Sequence, residues 1–249
     1  MKDRRVGFIG AGNMAEALIA GLLAAKLAEP GNIIASDPRA ARREDLSARL
    51  GIQVTGENAG VAARADVLFL AVKPQVAPEV LAELGAAIGG RHLLLSIVAG
   101  LGVATIEAAL APGTRVVRTM PNTPSLVRAG VTALAAGTAA TAEDVTVAEH
   151  LFGAVGRTLV VKEGALDAVT GLSGSGPGYA LLVIEALADA GVRVGLPRDA
   201  SLLLAAQTML GTARLLLETG DHPARLRDAV TSPGGTTAAG LAVLESRAV

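Results

Sequence analysis

Short, nearly continuous apolar runs alternate with Ala-rich stretches of helical spacing from the start of the chain to about Val161. Such runs are typical of strands buried on both faces of a parallel sheet, and the stretches between them are long enough for crossover helices. The pattern predicts an α/β fold with an N-terminal Rossmann-type doubly wound sheet. Strands are expected at residues 5–10, 32–36, 66–72, 92–98, 114–119, 131–136 and 157–161, and the last two are candidates for an antiparallel pair at the sheet edge.

The strand pattern stops after Glu163, and the rest of the chain has the spacing of helices. A helical pattern at residues 165–194 is interrupted by glycines and Pro177, whereas residues 196–218 form a cleaner amphipathic pattern. We therefore predict two domains without a flexible linker, a dinucleotide-binding Rossmann domain at residues 1–161 and an all-α domain at residues 162–249.

Composition argues against several classes of partner. Aromatic residues make up only 2% of the chain, and 22 basic residues are balanced by 23 acidic ones without a basic stripe, so no nucleic-acid partner is expected. Cysteine is absent, which fits a reducing compartment. His92, His150 and His222 are too scattered for a metal site, so no metal is expected, and they are interpreted as surface or capping residues.

The chain is predicted to be cytoplasmic and to have no membrane partner. The N-terminal residues show no export signal, and the long apolar stretches are broken before the roughly 18 to 20 residues that a membrane span requires. The 51% hydrophobic content is therefore interpreted as a large buried core.

The first predicted strand leads into a glycine-rich turn. Gly10, Gly12 and Ala15 form a Gly-x-Gly-x-x-Ala pattern that follows a strand and opens a helix, the context in which this pattern binds a dinucleotide. The first glycine permits the turn, the second lets a pyrophosphate approach, and the small third residue lets helix and strand pack closely. A tight turn without ligand is the alternative. We assign Gly10, Gly12, Asn13 and Met14 to the cofactor site.

The residues after the second strand carry two conflicting signals. Ser36 and Asp37 end the strand, and Asp37 suits a ribose 2′-hydroxyl, whereas Arg39, Arg42 and Arg43 suit a 2′-phosphate. Alternatively, Asp37 caps the next helix and the arginines form a solvated face. NADPH is the preferred cofactor because three arginines follow the strand, and NADH stays open.

Two later loops are expected at the same edge of the sheet, because ligands of such folds bind outside the carboxyl ends of the strands. One contains Ala71, Val72, Lys73 and Pro74, and Lys73 is as well explained as a solvated lysine. The other is "TMPNTP" at residues 119–124, whose two prolines restrict the loop and position Met120 and Asn122 near a nicotinamide.

The candidate chemistry needs no strong base. Tyr179, the only tyrosine, is not followed by the lysine of a Tyr-x-x-x-Lys pair, and residues 164–192 contain no Lys or Arg for a β-hydroxyacid dehydrogenase mechanism. Reduction of a C=N bond meets this condition, since a protonated imine is already electrophilic and chiefly needs orientation against a hydride donor.

Five segments, in order along almost the whole chain, resemble the pyrroline-5-carboxylate reductase family. They are "GAGNMAEALIAG", "FLAVKPQ", "MPNTPSLVRAG", "DAVTGLSGSGPGY" and "LRDAVTSPGGTTAAGLAVLE". The resemblance implies reduction of 1-pyrroline-5-carboxylate to L-proline with NADPH or NADH, the last step of proline biosynthesis. It also implies a helical C-terminal dimerisation domain, a homodimer with active sites formed between the domains, and larger assemblies of dimers.

The resemblance also assigns site residues. Asn58 matches a position near the cofactor adenosine, although a helix cap would explain it as well. The substrate segment maps onto Ser232, Gly234, Gly235, Thr236 and Thr237. Free amides at a helix start form an anion site for the substrate carboxylate, and the Thr237 hydroxyl is the catalytic candidate, reaching the ring nitrogen. A helix N-cap with a Thr side chain is the alternative.

Other readings stay open. In "SGSGPGY" the small residues fit either a close helix contact in a dimer, with Pro177 kinking one helix, or direct ligand contact. The family typically has Ala where this chain has Gly178, and its pattern continues with another helix beyond the position of Val249. The competing functions are reduction of a related imino or 2-hydroxy acid and a catalytically silent dinucleotide-binding regulator.

Overall fold

The structure, a computed structural model, describes residues 4–247. The chain divides after Pro177 into two compact units, each of which is described by itself. The first unit extends beyond the predicted sheet because Leu166, which is 1% exposed, packs against Ala133 and Ala135 of the sheet.

An eight-stranded sheet forms the first unit, which confirms the predicted α/β fold class. The strand order is β3-β2-β1-β4-β5-β6-β7-β8. Strands β1 to β6 run parallel and β7 runs antiparallel to β6. The strands are β1 (Val6–Ile9), β2 (Ile33–Ser36), β3 (Gln53–Thr55), β4 (Val67–Leu70), β5 (Leu93–Ser96), β6 (Arg115–Met120), β7 (Gly130–Ala136) and β8 (Gly156–Val160).

The sheet differs from the sequence prediction at both edges. The predicted antiparallel pairing of the last two strands is wrong, since β7 and β8 pair parallel from Gly130↔Gly156 to Leu134↔Val160. A helix at Ala142–Phe152 lies between them in the sequence and supplies the crossover that a parallel pair needs. At the other edge, β3 was missed because it has three residues and no buried face.

Helices connect the strands and make up the second unit. The α-helices are α1 (Asn13–Ala24), α2 (Ala40–Leu50), α3 (Asn58–Arg64), α4 (Ala77–Leu84), α5 (Val103–Ala109), α6 (Ala142–Phe152), α7 (Leu166–Val169), α8 (Gly176–Arg193), α9 (Arg198–Thr219), α10 (Pro223–Ala229) and α11 (Thr236–Ser246). Short 3₁₀ helices lie at Pro30–Asn32, Thr123–Val127, Gly153–Val155 and Glu163–Ala165, and a π-helical turn lies at Thr170–Gly174.

Successive residues of β1 bury opposite faces of the sheet, as the pleat of a strand requires. Phe8 stacks on Phe69 of β4 with ring centroids 4.5 Å apart, and Phe69 meets Phe152 edge-on at 5.6 Å. Ile9 belongs to the core on the other face. Because β1 is fixed on both faces, the glycine turn that follows it starts from a rigid position.

The histidines are only partly as predicted. His92 is 1% exposed, so its assignment to the surface is wrong: its Nε2 lies 3.0 Å from the Ala62 oxygen and its Nδ1 accepts from the Gly89 N–H at 3.0 Å. His150 is exposed, and His222 caps α10 by accepting from Ala224 N–H. Within residues 4–247 there is no group of three or more potential metal ligands.

The second unit leaves much of its apolar surface uncovered. Tyr179, Leu181 and Leu182 of α8 are 60%, 65% and 66% exposed. A groove of about 580 Å³ between α8 and α9 is lined by Gly178, Leu181, Leu182, Ile184, Glu185, Ala188, Arg198 and Leu202.

Helix α9 corrects one expectation from the sequence. Its 22 residues, with a mean hydropathy of 1.4 over an 18-residue window that is 11% buried, are long and apolar enough to cross a membrane by length and composition. The expectation that every apolar stretch is broken too early for a span is therefore wrong here. One such helix is only a weak indication of a membrane span.

Candidate functional site

A cleft of about 420 Å³ opens at the carboxyl edge of the sheet in the first unit. Its walls come from residues that follow β1, β2, β4 and β5 and from the end of β6, which is the ligand side of a doubly wound fold. Eight predicted cofactor residues are brought together here: Gly12, Asn13, Met14, Arg39, Ala71, Val72, Lys73 and Met120. Ile97 and Pro121 also line the cleft and were missed; Ile97 follows directly on the observed end of β5, inside the strand predicted at residues 92–98, and Pro121 follows directly on the observed end of β6.

The two glycines of the turn have different physical roles. Gly10 has a φ of +92°, and a Cβ on it would lie 2.7 Å from the Ala71 oxygen, so no other residue fits this backbone. Gly12 is the N-cap of α1, and among the described residues a Cβ on it would meet nothing within 4 Å. The space beside Gly12 is thus open at the N-terminus of a helix, where backbone N–H groups attract phosphate.

Ser36 and Asn58 support the glycine turn through a chain of hydrogen bonds. The Ser36 hydroxyl accepts from the Gly10 N–H at 3.3 Å and donates to Asn58 Oδ1 at 2.7 Å. Asn58 Nδ2 donates to Glu83 Oε2 at 2.9 Å. Asn58 is the first residue of α3 and Glu57 is the N-cap, so the helix-cap alternative for Asn58 is wrong.

Asp37 and Arg39, which carry the two conflicting signals of cofactor preference, form an ion pair with each other. Arg39 donates from Nε and Nη2 to the two oxygens of Asp37, both at 2.9 Å. This guanidinium holds the pKa of the Asp37 carboxyl below its ordinary value, so Asp37 stays ionised at neutral pH. Arg42 instead pairs with Glu16, and Arg43 donates to the Asp37 carbonyl oxygen. Of the three arginines, Arg39 lines the cleft, and its side chain is 67% exposed.

The remaining predicted cofactor residues differ in position. Lys73 lines the cleft and its neighbour Pro74 is exposed. Met120 is half-buried in the wall of the cleft. Asn122 is 9% exposed, and its amide is engaged within the protein, where Nδ2 donates to the Ser173 oxygen at 3.1 Å and Oδ1 accepts from the Val131 N–H at 2.9 Å.

The predicted substrate segment lies in the second unit, at the start of α11. Gly234 has a φ of +67°, which favours glycine, and a Cβ on Gly235 would lie 2.3 Å from the Ser232 hydroxyl, which would have to move. Gly235 is the N-cap and has no side chain to bond the first-turn amides, so the alternative of a Thr side-chain cap is wrong. Thr236 and Thr237 are the first helical residues, and within residues 4–247 the Thr237 hydroxyl has no hydrogen-bond partner.

Comparison with known proteins gives two family models and full-length relatives. The model for pyrroline-5-carboxylate reductase dimerisation matches residues 163–249, and the model described as NADP oxidoreductase, coenzyme F420-dependent, matches residues 5–100. A pyrroline-5-carboxylate reductase of Methanosarcina acetivorans is 47% identical over 249 residues, which is 100% of this chain and 92% of the relative.

Solved structures agree with these matches. A pyrroline-5-carboxylate reductase from Coxiella burnetii superposes with a TM-score of 0.92 at 39% identity, covering 98% of this chain and 90% of the other. The pyrroline carboxylate reductase of Plasmodium falciparum with NADP bound gives a TM-score of 0.89 at 31% identity, covering 100% of this chain and 92% of the other.

Proposed function

From the premise that the chain belongs to the pyrroline-5-carboxylate reductase family, we propose how its residues perform the reaction. The protein is an NAD(P)H-dependent oxidoreductase that reduces 1-pyrroline-5-carboxylate to L-proline, the last step of proline biosynthesis. Similarity over the full chain to reductases of this name carries the conclusion. The direct test is NAD(P)H oxidation with and without 1-pyrroline-5-carboxylate, where oxidation that does not depend on the substrate would contradict the function.

The cofactor occupies the cleft of the first unit. Its pyrophosphate binds beside Gly12, at the N-terminus of α1, and its adenosine end lies near Ser36, Arg39 and Asn58. The nicotinamide lies against Met120, with Ala71, Val72, Lys73 and Pro74 along the path between. Open space at Gly12 and the position of Met120 in the wall support this arrangement.

The substrate binds at the start of α11. The carboxylate accepts hydrogen bonds from the uncapped first-turn amides, with Ser232, Gly234, Gly235 and Thr236 shaping the site. The free Thr237 hydroxyl bonds the ring nitrogen and helps to supply or retain its proton as hydride reaches the adjacent carbon. Support comes from the lack of a side-chain cap on α11 and from the resemblance of the segment to the family.

Arg39→Ala is expected to raise the KM for NADPH about three- to tenfold more than the KM for NADH, because it removes a charge-assisted contact to the 2′-phosphate and leaves Asp37 unpaired. Steady-state kinetics with both cofactors measure this preference. Arg157→Ala, at an exposed position on β8, is the control. Equal changes for the two cofactors would remove Arg39 from the 2′-phosphate site and favour NADH as readily as NADPH.

The protein is a homo-oligomer with a small-molecule substrate, as its match to the dimerisation family model indicates. The basic assembly is a homodimer, from which larger assemblies of dimers form, and the uncovered apolar surface of α8 and α9 is its interface. A second copy, rather than a membrane or a nucleic acid, covers this surface. The match at residues 163–249 supports domains at residues 1–161 and 162–249, and the absence of cysteine fits a cytoplasmic setting.

Leu182→Glu is expected to shift the protein from dimer to monomer at micromolar concentration, because a charge would be buried in an apolar interface. Sedimentation velocity measures the shift. Leu159→Glu on β8 is a matched control, since this leucine is 57% exposed and lies in the first unit. An unchanged sedimentation coefficient for Leu182→Glu would exclude this face of α8 from the interface.

A further inference from the structure

Pro177 leaves one carbonyl of the polypeptide without its usual partner. In a helix each carbonyl accepts from the N–H four residues later, and proline has no N–H. The Ser173 carbonyl, four residues before Pro177, therefore has no helical donor at that position. The same stretch departs from α-helical geometry, since Thr170–Gly174 is a π-helical turn in which the Ser175 N–H donates to the Thr170 oxygen at 2.9 Å.

The side chain of Asn122 supplies the missing donor. Its Nδ2 lies 3.1 Å from the Ser173 oxygen, across 51 residues of sequence. The amide orientation is fixed from the other side, because Oδ1 accepts from the Val131 N–H at the start of β7. An unpaired carbonyl costs about 1–3 kcal/mol when it is fully buried, and this bond is part-buried, so loss of the Asn122 donor costs part of that amount.

The π-helical turn also supports the wall of the cofactor cleft. A Cβ on Gly174 would lie 2.7 Å from the Met120 Cε, so the turn and the methionine are in close contact. Met120 lines the cleft, two residues before Asn122. Asn122 therefore ties together a loop at the cleft and the turn against which the cleft wall rests.

We propose that Asn122 is a positioning residue for hydride transfer, which holds the π-helical turn at Ser173 in place of the N–H that Pro177 lacks and thereby fixes Met120 beside the nicotinamide. It acts through Met120 and does not itself contact the cofactor. The inference rests on the proposed location of the nicotinamide at Met120. Asn122 is therefore not one of the cofactor-binding residues among which the sequence analysis placed it.

The test is a double-mutant cycle, because Pro177→Ala restores an N–H that can reach Ser173 without Asn122. Asn122→Ala is expected to lower kcat about tenfold, the scale on which small misplacements of reacting groups act, with a smaller change in the Kd for NADPH. The kinetic isotope effect with 4-deuterated NADPH should rise because hydride transfer becomes more limiting. Asn122→Ala/Pro177→Ala should regain about threefold or more of the lost kcat.

Hydrogen exchange reports the same coupling without substrate or cofactor. The Ser175 amide should exchange faster in Asn122→Ala than in the wild type and slow again in the double variant. Asn58→Ala is the matched control, since it also removes a hydrogen-bonded side-chain amide group, here a half-buried one, but has no link to Pro177. Adding Pro177→Ala to Asn58→Ala should restore neither kcat nor the exchange rate.

Three results would overturn the positioning role: unchanged kcat and isotope effect in Asn122→Ala, a loss that Pro177→Ala does not relieve, or an equal recovery in the Asn58 pair. A failure of the proposed function is seen separately, as a wild-type protein that oxidises no NADPH in response to the substrate. Hydrogen exchange of the Ser175 amide can be measured whether or not the protein has the proposed activity. An exchange rate in Asn122→Ala that Pro177→Ala does not change would also contradict the positioning role.

Discussion

Thr237→Ala is expected to lower turnover by about 10- to 1000-fold, the loss seen when one transition-state hydrogen-bond donor is removed. The hydroxyl has no hydrogen-bond partner within the described residues, so its removal should leave α11 folded. Its bond to the ring nitrogen strengthens as the imine becomes an amine, and the effect should therefore fall on kcat more than on cofactor affinity. Steady-state kinetics and a titration of NADPH fluorescence measure the two quantities.

Two neighbouring variants make this result specific. Thr237→Ser keeps the hydroxyl and should retain much of the activity. Thr236→Ala, one residue earlier in the same helical turn, should have a smaller effect because mainly the backbone amide of Thr236 contributes to the carboxylate site. Wild-type turnover in Thr237→Ala would show that proton supply comes from water or from the substrate itself.

Gly12→Ala is expected to raise the Kd for both NADPH and NADH at least about tenfold, the change that a loss of ~1.4 kcal/mol produces. A Cβ at this position would enter open space beside the N-terminus of α1, which is where the pyrophosphate is proposed to approach. The fold should tolerate the substitution because, apart from the adjoining backbone, none of residues 4–247 lies within 4 Å of the added atom. Fluorescence titration and thermal unfolding separate the two effects.

Substitutions at two other glycines serve as controls for that prediction. Gly153→Ala adds a methyl group away from the cleft that also meets nothing within 4 Å in the part of the chain that the structure describes, and it should change neither affinity nor melting temperature. Gly10→Ala should lower both, since its φ of +92° and the 2.7 Å approach of the Ala71 oxygen strain any side chain there. Unaltered affinity in Gly12→Ala would move the pyrophosphate away from this turn.

The sequence predicted the buried strands because both of their faces are apolar, and a continuous apolar run has few other interpretations. It missed β3 because a three-residue edge strand without a buried face has no such run. It also gave the wrong direction for the last pair, since hydrophobic pattern fixes burial but not strand direction. His92 was misassigned because a lone polar residue beside a strand looks the same in sequence whether it faces solvent or backbone carbonyls.

The candidate site, like the fold, was predicted only in part. Most residues of the cleft were predicted because the carboxyl ends of parallel strands meet at one edge. The contacts among these side chains could not be predicted, because they depend on rotamers and on residues that are far apart in the sequence. Asp37 and Arg39 looked like competing signals and are partners at 2.9 Å, and Asn122 looked like a cofactor ligand and bonds Ser173.

The scarcity of aromatic side chains gives the protein a simple optical signature. All three phenylalanines pack together inside the first unit, there is no tryptophan, and the single tyrosine, Tyr179, is exposed on α8 beside Leu181 and Leu182. Ultraviolet emission of the polypeptide therefore originates almost entirely from one ring on the uncovered apolar surface. The natural protein thus carries a single built-in fluorophore at the surface where a second copy is proposed to dock, and association can be followed by its quantum yield and anisotropy without any attached dye.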